Sequence, residues 1–335
     1  PGTQEHEEAR AFIFKKLSAR GAVVFEHEFQ GGVNLWGVLY PQNNRSGVPE
    51  VMITSHYDHI DNCWQKNGHF SSVCNGAADN AAAVSILLNT LEKLKGQIKR
   101  PVAFAVFDKE EDGLVGSNYF AKSNLLPSIR LVLNLDIVGL NTFQGMENVH
   151  LTMGGETGGE KLVKDLKTAS QKSGLDTVEF SYALAHGRGD LTNFIQKGIP
   201  SIHFTDGDGS VYHSSADEFQ NINQIKLLKI SNLIFSLTLI AEKNGPYKFM
   251  NPFQGENALP SFNDVKSGKN LVSKIKKTID TPEISRFLKE LDKIIKKGER
   301  KFSYPEMSAF QKVAFGLMEY SRNMEEIPQG SRCQD

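Results

Sequence analysis

The chain has 335 residues, 39% of them hydrophobic and 23% charged, with a net charge of −1. A charge so close to zero argues against nucleic acid as the main partner, and no uninterrupted apolar run is long enough to predict a membrane span. The length suits one large or two ordinary globular domains.

Residues 3–21 predict a helix with Ala9, Phe12, Ile13 and Leu17 on its apolar face and Gly21 as its stop. Residues 22–29 and 33–40 predict a hairpin turning at Gly31-Gly32. The apolar run 51–55 predicts a buried strand that delivers His56, Tyr57 and Asp58 at its carboxyl end. Positions i and i+2 of an extended chain point the same way, so His56 and Asp58 share one pocket. A metal-binding imidazole is usually oriented by such a carboxylate or carbonyl partner. Cys63 and Cys74 bracket the polar loop 59–75. A loop-closing disulfide in an oxidising compartment and two free thiols both fit, and Cys333 makes the count odd. The chain begins with Pro1 rather than Met, which suggests a trimmed start, so the expected location is secreted or periplasmic. Asp79 stands just ahead of a helical pattern, Val84, Leu87, Leu88 and Leu91, that Gly96 closes. It suits a helix N-cap, and its two oxygens equally suit a bridge between two cations.

Residues 101–107 predict a second buried strand, ending in Asp108-Lys109-Glu110-Glu111. In open α/β sheets ligands sit at the carboxyl ends of strands. Adjacent residues diverge there, so one glutamate can hold a metal while the other handles a proton. A helix over 113–123 and a buried strand over 129–135 follow. Asp136 lies inside Leu-Asn-Leu-Asp-Ile-Val, a costly place for an acid unless it is paired or coordinates a metal. Further on, the pattern gives a strand at 149–153, a helix at 158–174 and a strand at 177–182. A short helix at 191–197 comes after Gly189-Asp190, and a strand at 198–204 follows it. His203 alternates with apolar neighbours as a satisfied core histidine does, and 207–209 reads as a flexible loop. Tyr212 and His213 precede a helix over 222–242, which places His213 well for a ligand role.

Residues 243–269, rich in Asn, Gly and Pro, mark the boundary between a main domain, 1–245, and a linker with helices, 246–335. The clearest helical face there is Ile284, Phe287, Leu288, Leu291, Ile294 and Ile295, opened by Thr281-Pro282 and closed by Gly298. Met307, Phe310, Val313 and Leu317 give another. Residues 266–301 carry twelve Lys or Arg against five Asp or Glu, a local charge of +7. Such a segment suits docking on an acidic surface, its own domain's or a partner's, or a solvated basic face.

Strand–helix alternation predicts an α/β domain with helices on both faces of its sheet and a small α-helical C-terminal appendage. His56, Asp79, Glu111, Asp136 and His213 all fall at strand ends or helix starts. Two histidines with three carboxylates suit a pair of zinc ions. With Asp79 bridging, each ion would receive one His and one further carboxylate and keep an open position, as a hydrolytic site needs.

The motifs also resemble a family. His56-Tyr57-Asp58, Gly76-Ala77-Ala78-Asp79-Asn80-Ala81, the run from Phe107 to Ser117, Asn134-Leu135-Asp136-Ile137-Val138-Gly139 and Tyr212-His213 through Asp217 look like the successive motifs of the M28 zinc aminopeptidases. The resemblance covers roughly residues 1–245 and implies a mixed, mostly parallel sheet between helices. It also implies two Zn2+ per chain and a peptide substrate with a free N-terminus. His56 and Asp136 would bind one zinc, Glu111 and His213 the other, with Asp79 between them. Asp58 would support His56, and Glu110 would be the general base. The family's Ala-Ser-Gly after Asp-Asn is Ala81-Ala82-Ala83 here, a change in helix packing. Its Ser-Asp-His is Gly189-Asp190-Leu191, which leaves Asp190, with Tyr212 and Asp217, as outer-layer or substrate contacts. Two rivals remain open. One is a glutaminyl cyclase-like enzyme with a single zinc. The other is a non-catalytic binding domain on a peptidase-like fold, which the full ligand set argues against.

Overall fold

The computed structural model describes residues 2–43, 45–65, 69–71, 73–126, 128–185 and 187–324, with only the backbone of 256 and 257. Cys333 lies outside the described residues.

In chain order the strands are β1 Val23–Phe29, β2 Gly32–Leu39, β3 Val51–His56, β4 Cys63–Trp64, β5 Phe70–Ser71, β6 Val102–Phe107, β7 Leu131–Leu135, β8 Val149–Met153, β9 Asp176–Phe180 and β10 Ser201–Thr205. The longer helices are α1 Gln4–Ala19, α2 Ala82–Leu94, α3 Val115–Lys122, α4 Gly159–Ser173, α5 Leu191–Ile195, α6 Gln224–Asn244, α7 Phe262–Lys276, α8 Pro282–Lys297 and α9 Tyr304–Arg322. Eight strands form one mixed sheet in the order β1-β2-β6-β3-β7-β10-β8-β9, and β4 and β5 make a separate ribbon. The central four, β6, β3, β7 and β10, run parallel; β1 pairs antiparallel with β2, β2 with β6 and β8 with β10, while β8 and β9 pair in parallel.

The side-chain period of two explains why helices cover both faces. On β6, Val102, Phe104 and Val106 join a core with α2 and α6, whereas Ala103, Ala105 and Phe107 join another with Phe120 of α3 and Phe194 of α5. Parallel strands buried on both sides read as mainly apolar runs; β6 is unbroken, while β3 and β7 carry Thr54, Ser55 and Asn134 among their apolar residues. Because the four central strands run the same way, His56, the turn 108–111, Asp136 and Asp206 emerge along one edge of the sheet.

Three expectations change. On α1, Thr3 caps the helix and Ile13 and Leu17 are buried, but Ala9 and Phe12 face solvent, and Phe14 takes the inward position instead. The linker after 243 is shorter than its composition suggests, because α7 begins at Phe262 and runs through Gly268. That glycine is a packing allowance rather than a breaker: a Cβ there would lie 3.0 Å from the Phe310 ring. Asp206 and Asp208 are buried beside Gly207, so this loop is anchored rather than free.

Helix α6 is long and apolar enough, by length and composition, to cross a membrane. Its Ile230, Leu233, Ile234 and Leu237 are buried in the core against α2 and α4. The helices α7–α9 build their own apolar cluster, Val265, Leu271, Ile275, Leu291 and Phe310 among others, which also takes in Phe143, Met146, Val149 and Val178 from the β8–β9 side of the sheet. Of the basic residues, Lys274 pairs with Asp176 on β9. Lys269, Lys276, Lys293 and Lys297 pair with acids inside the helical segment itself. Apolar contact, more than charge, holds the segment to the sheet.

Candidate metal centre

His56 ends β3, and its Nε2 lies 3.2 Å from Oδ1 of Asp136, one residue past β7, and 3.2 Å from Oδ1 of Asp79. His213 Nε2 lies 3.4 Å from the other oxygen of Asp79, Oδ2, and 3.2 Å from Glu111 Oε2. Asp79 therefore offers one oxygen to each imidazole. It does not cap α2: the residue at the helix start is Ala81, and Asp79 and Asn80 sit in the turn before it with a cis peptide between them. Potential ligand atoms of His56, Glu110 and Asp136 all lie within 4.8 Å of one another, as do those of Asp79, Glu111 and His213.

The supporting layer is built from backbone donors. Asp58 accepts the N–H groups of Glu110 at 3.0 Å and Glu111 at 3.2 Å, while its carbonyl oxygen sits 3.0 Å from His56 Nδ1. The two glutamates are thus held by the residue that also orients the histidine. Asp217 accepts the N–H groups of Ala78 at 2.7 Å and Asp79 at 3.0 Å, so it grips the Asp79 turn from behind. Tyr212 stacks on the His213 ring at 3.8 Å. Asp190 is fully buried at the start of α5, and its Oδ1 has no hydrogen-bond partner. His203 is buried and bonded to Asn134 Nδ2 at 3.1 Å, as a core histidine should be. Lys109, Ile137 and His213 hold left-handed backbone, at φ 57°, 51° and 52°. Each costs roughly 1–2 kcal/mol for a residue with a Cβ. Such strain concentrates where side chains must be aimed.

The electrostatics are those of a cation site. Burial alone would lower the His56 imidazole, but Glu110, Asp136, Asp58 and Asp79 outweigh it and hold its pKa well above the usual range. In the same way Asp79 and Glu111 overcome burial and push His213 up to about 10. Burial would raise Asp79, yet the two imidazoles hold it well below a normal carboxylate. Burial pushes Glu110 up to about 10, with Asp136, Asp190 and Glu111 adding to it against the pull of His56. Burial raises Glu111 as well, and takes Asp190 to about 7 and Asp217 to about 6. Raised carboxyls beside raised imidazoles are what a buried cluster with more acids than bases produces. Glu111 Oε1 is buried without a hydrogen-bond partner, an arrangement that costs free energy unless a ligand completes it. Imidazole nitrogens with carboxylate oxygens are the donor set zinc takes, so the residues present fit such an ion.

Beside the centre a cavity of about 490 Å³ opens, bordered by Asp79, Glu110, Glu111, Asp136, Tyr212 and His213.

Residues 34–238, more than half of the chain, match the sequence profile of peptidase family M28. The chain belongs to that family. This M28 chain is 27% identical over 238 residues to the probable leucine aminopeptidase 2 of Aspergillus oryzae, a match covering 62% of this chain and 45% of that one. It spans less than half the length of the curated relatives it matches. A Zn-dependent exopeptidase of Parabacteroides distasonis superposes with a TM-score of 0.56 at 19% identity, over 71% of this chain and 91% of the other. The glutaminyl cyclase of Porphyromonas gingivalis gives 0.56 at 18%, over 71% and 90%. At such identities the likeness is one of fold. The family match stops inside α6, so α7–α9 lie beyond it.

Three features of the M28 site escaped the sequence. Asp206 is buried in an ion triad with His150 Nδ1 and Lys226 Nζ, both at 2.7 Å, and it accepts the N–H of Gly139 at 2.7 Å, which steadies the Asp136 loop. Its signal was position alone, directly after a buried parallel strand like Asp136. Asp208 takes both Arg188 and Arg322. Asp264 binds α7 to the turn after β9. The partners of all three are far apart in the chain.

Proposed function

We infer that this M28 domain is an aminopeptidase, removing the N-terminal residue of peptides with two zinc ions per chain. One observation carries the reading: Asp79 offers an oxygen to each of two imidazoles, with Glu110 beside them at the mouth of a single cavity. His56 and Asp136 would hold one ion and His213 and Glu111 the other, with Asp79 shared. The ions, when bound, supply Lewis acidity toward a peptide carbonyl and toward the attacking water. Their charge also inverts the local preference for protonated carboxyls, leaving Glu110 free to accept a proton. Glu110 would take it from the attacking water and deliver it to the leaving amine. Asp58 fixes where that carboxylate stands, because it holds the Glu110 N–H. Asp190 and Tyr212 flank the centre, and the cluster's excess of carboxylates favours a positively charged substrate amine.

The test is Glu110→Gln, with turnover of an L-leucyl amide and zinc per chain measured together. Turnover should fall by about 10²–10⁴-fold, and zinc should stay at two. Substantial residual hydrolysis would remove Glu110 from the proton-transfer role. One zinc per chain, with cyclisation of an N-terminal glutamine peptide, would replace the peptidase reading by the cyclase one.

A further inference from the structure

The cavity does not end at the metal centre. It continues past Met153 and Phe180 at the sheet edge into the helical segment, where Leu271 and Val272 of α7, Leu291 of α8 and Phe310 and Val313 of α9 line it. These inner residues are aliphatic or aromatic, and several belong to the apolar cluster of the bundle itself. The acids and the arginine in the lining all lie before residue 209, and the helical segment contributes none. Arg322 of α9 pairs with Asp208 and lies 5.3 Å over the Tyr212 ring, and Arg188, also paired with Asp208, reaches the Met318 sulfur at 3.8 Å. Helix α9 is therefore fastened to the residue next to His213 and roofs the chamber.

We propose that the C-terminal helices, which lie beyond the family match, form the wall of the pocket for the substrate's N-terminal side chain and select a large apolar one. This rests on the aminopeptidase reading for the placement of the scissile bond. The occupant follows from continuity and shape. A chamber that begins among the carboxylates and ends in a packed bundle admits a side chain beside a free amine, while the rest of the peptide leaves toward solvent. Its volume, about 490 Å³, falls in the range that takes a drug-sized ligand, more room than alanine uses. Filling an apolar pocket earns about 10–200-fold discrimination per group recognised.

Ala314 lines the chamber from α9 and is only partly buried, so it can be enlarged without emptying the core. The wild type should hydrolyse an L-phenylalanyl amide at least about tenfold better, in kcat/KM, than the L-alanyl amide. Ala314→Trp should lower that ratio by about tenfold or more, whereas Lys312→Ala, on the exposed side of α9, should leave it unchanged. The ratio does not depend on how much of the variant folds. A wild type without the preference, or a ratio that Ala314→Trp does not move, overturns the proposal while leaving hydrolysis intact. If neither amide is turned over, the aminopeptidase reading fails, and calorimetry on the zinc-loaded protein decides the pocket separately. L-phenylalanine should then bind the wild type more tightly than L-alanine, with the difference lost in Ala314→Trp. Equal binding would overturn the pocket assignment.

Discussion

The carboxylate of Asp58 accepts two backbone N–H groups, those of Glu110 and Glu111, while its own carbonyl faces His56. The pairing of His56 with Asp58 was readable, because alternate residues of a strand share a side. The grip on the glutamates was not, because its donors are main-chain groups more than fifty residues away and a sequence does not display them. Asp217 shows the same limit: its place after His213 was visible, its hold on the Asp79 turn was not. Away from the centre, Glu156 gives a titration that can be measured. Burial raises its pKa from 4.5 to about 7. A carboxyl with a raised folded pKa binds its proton more tightly folded than unfolded. Its stabilising effect is complete below about 4.5 and fades as pH rises through about 7. Glu156→Gln keeps an oxygen for the Tyr182 N–H, now at 2.7 Å, and removes the titration. Urea unfolding at pH 5 and pH 8 should show the variant gaining about 2 kcal/mol on the wild type at the higher pH. Parallel pH profiles for the two proteins would show that Glu156 keeps an ordinary pKa.

At the scale of elements, the parallel centre of the sheet was the easiest part to foresee. β3, β6 and β7 are buried on both faces, so each is a mostly apolar run, unbroken only in β6, with an acid or histidine at its carboxyl end. Helix α7 was the hardest, since Gly268 and the Asn and Pro residues before it imitate a linker. What starts α7 is the exchange between Ser261 and Asp264, each side chain receiving the other's backbone N–H. Asp264 goes further and accepts both the N–H of Ser181 at 2.6 Å and its hydroxyl at 2.9 Å, tying the helix to the turn after β9. Removing a cap costs about 1 kcal/mol, and leaving buried donors unpaired adds about 1–3 kcal/mol. Asp264→Ala should therefore destabilise the protein by about 2–4 kcal/mol in urea unfolding and speed proteolysis between α6 and α7. A loss below about 0.5 kcal/mol, the scale of a surface change, would mean that the apolar cluster alone fixes α7. The loop around β4 and β5 settles an open alternative, because Cys63 of β4 and Cys74, three residues past β5, form a disulfide.

For the molecule as a whole, the candidate metal centre would be a stability element as well as a chemical one. Asp79, Glu110, Glu111 and Asp136 crowd around two imidazoles, four acids against two bases. Ligands that bind only the folded state stabilise it by about 3–4 kcal/mol at 100 to 1,000 times Kd. Stripping zinc with 1,10-phenanthroline should lower Tm by roughly 5 °C or more, and adding zinc back should restore it. An unchanged Tm after complete removal would mean that protons balance the cluster as well as zinc does. The deep chamber has its own consequence. It is bordered on one side by the carboxylates and imidazoles of the centre and on another by residues of the bundle's apolar cluster. An internal loop of an intact protein would need two ways out, one for each direction of the chain, whereas a terminus needs one. On the aminopeptidase reading, a chamber walled on one side by the bundle would gauge the size of the first residue and turn away bonds that are not at the end of their chain.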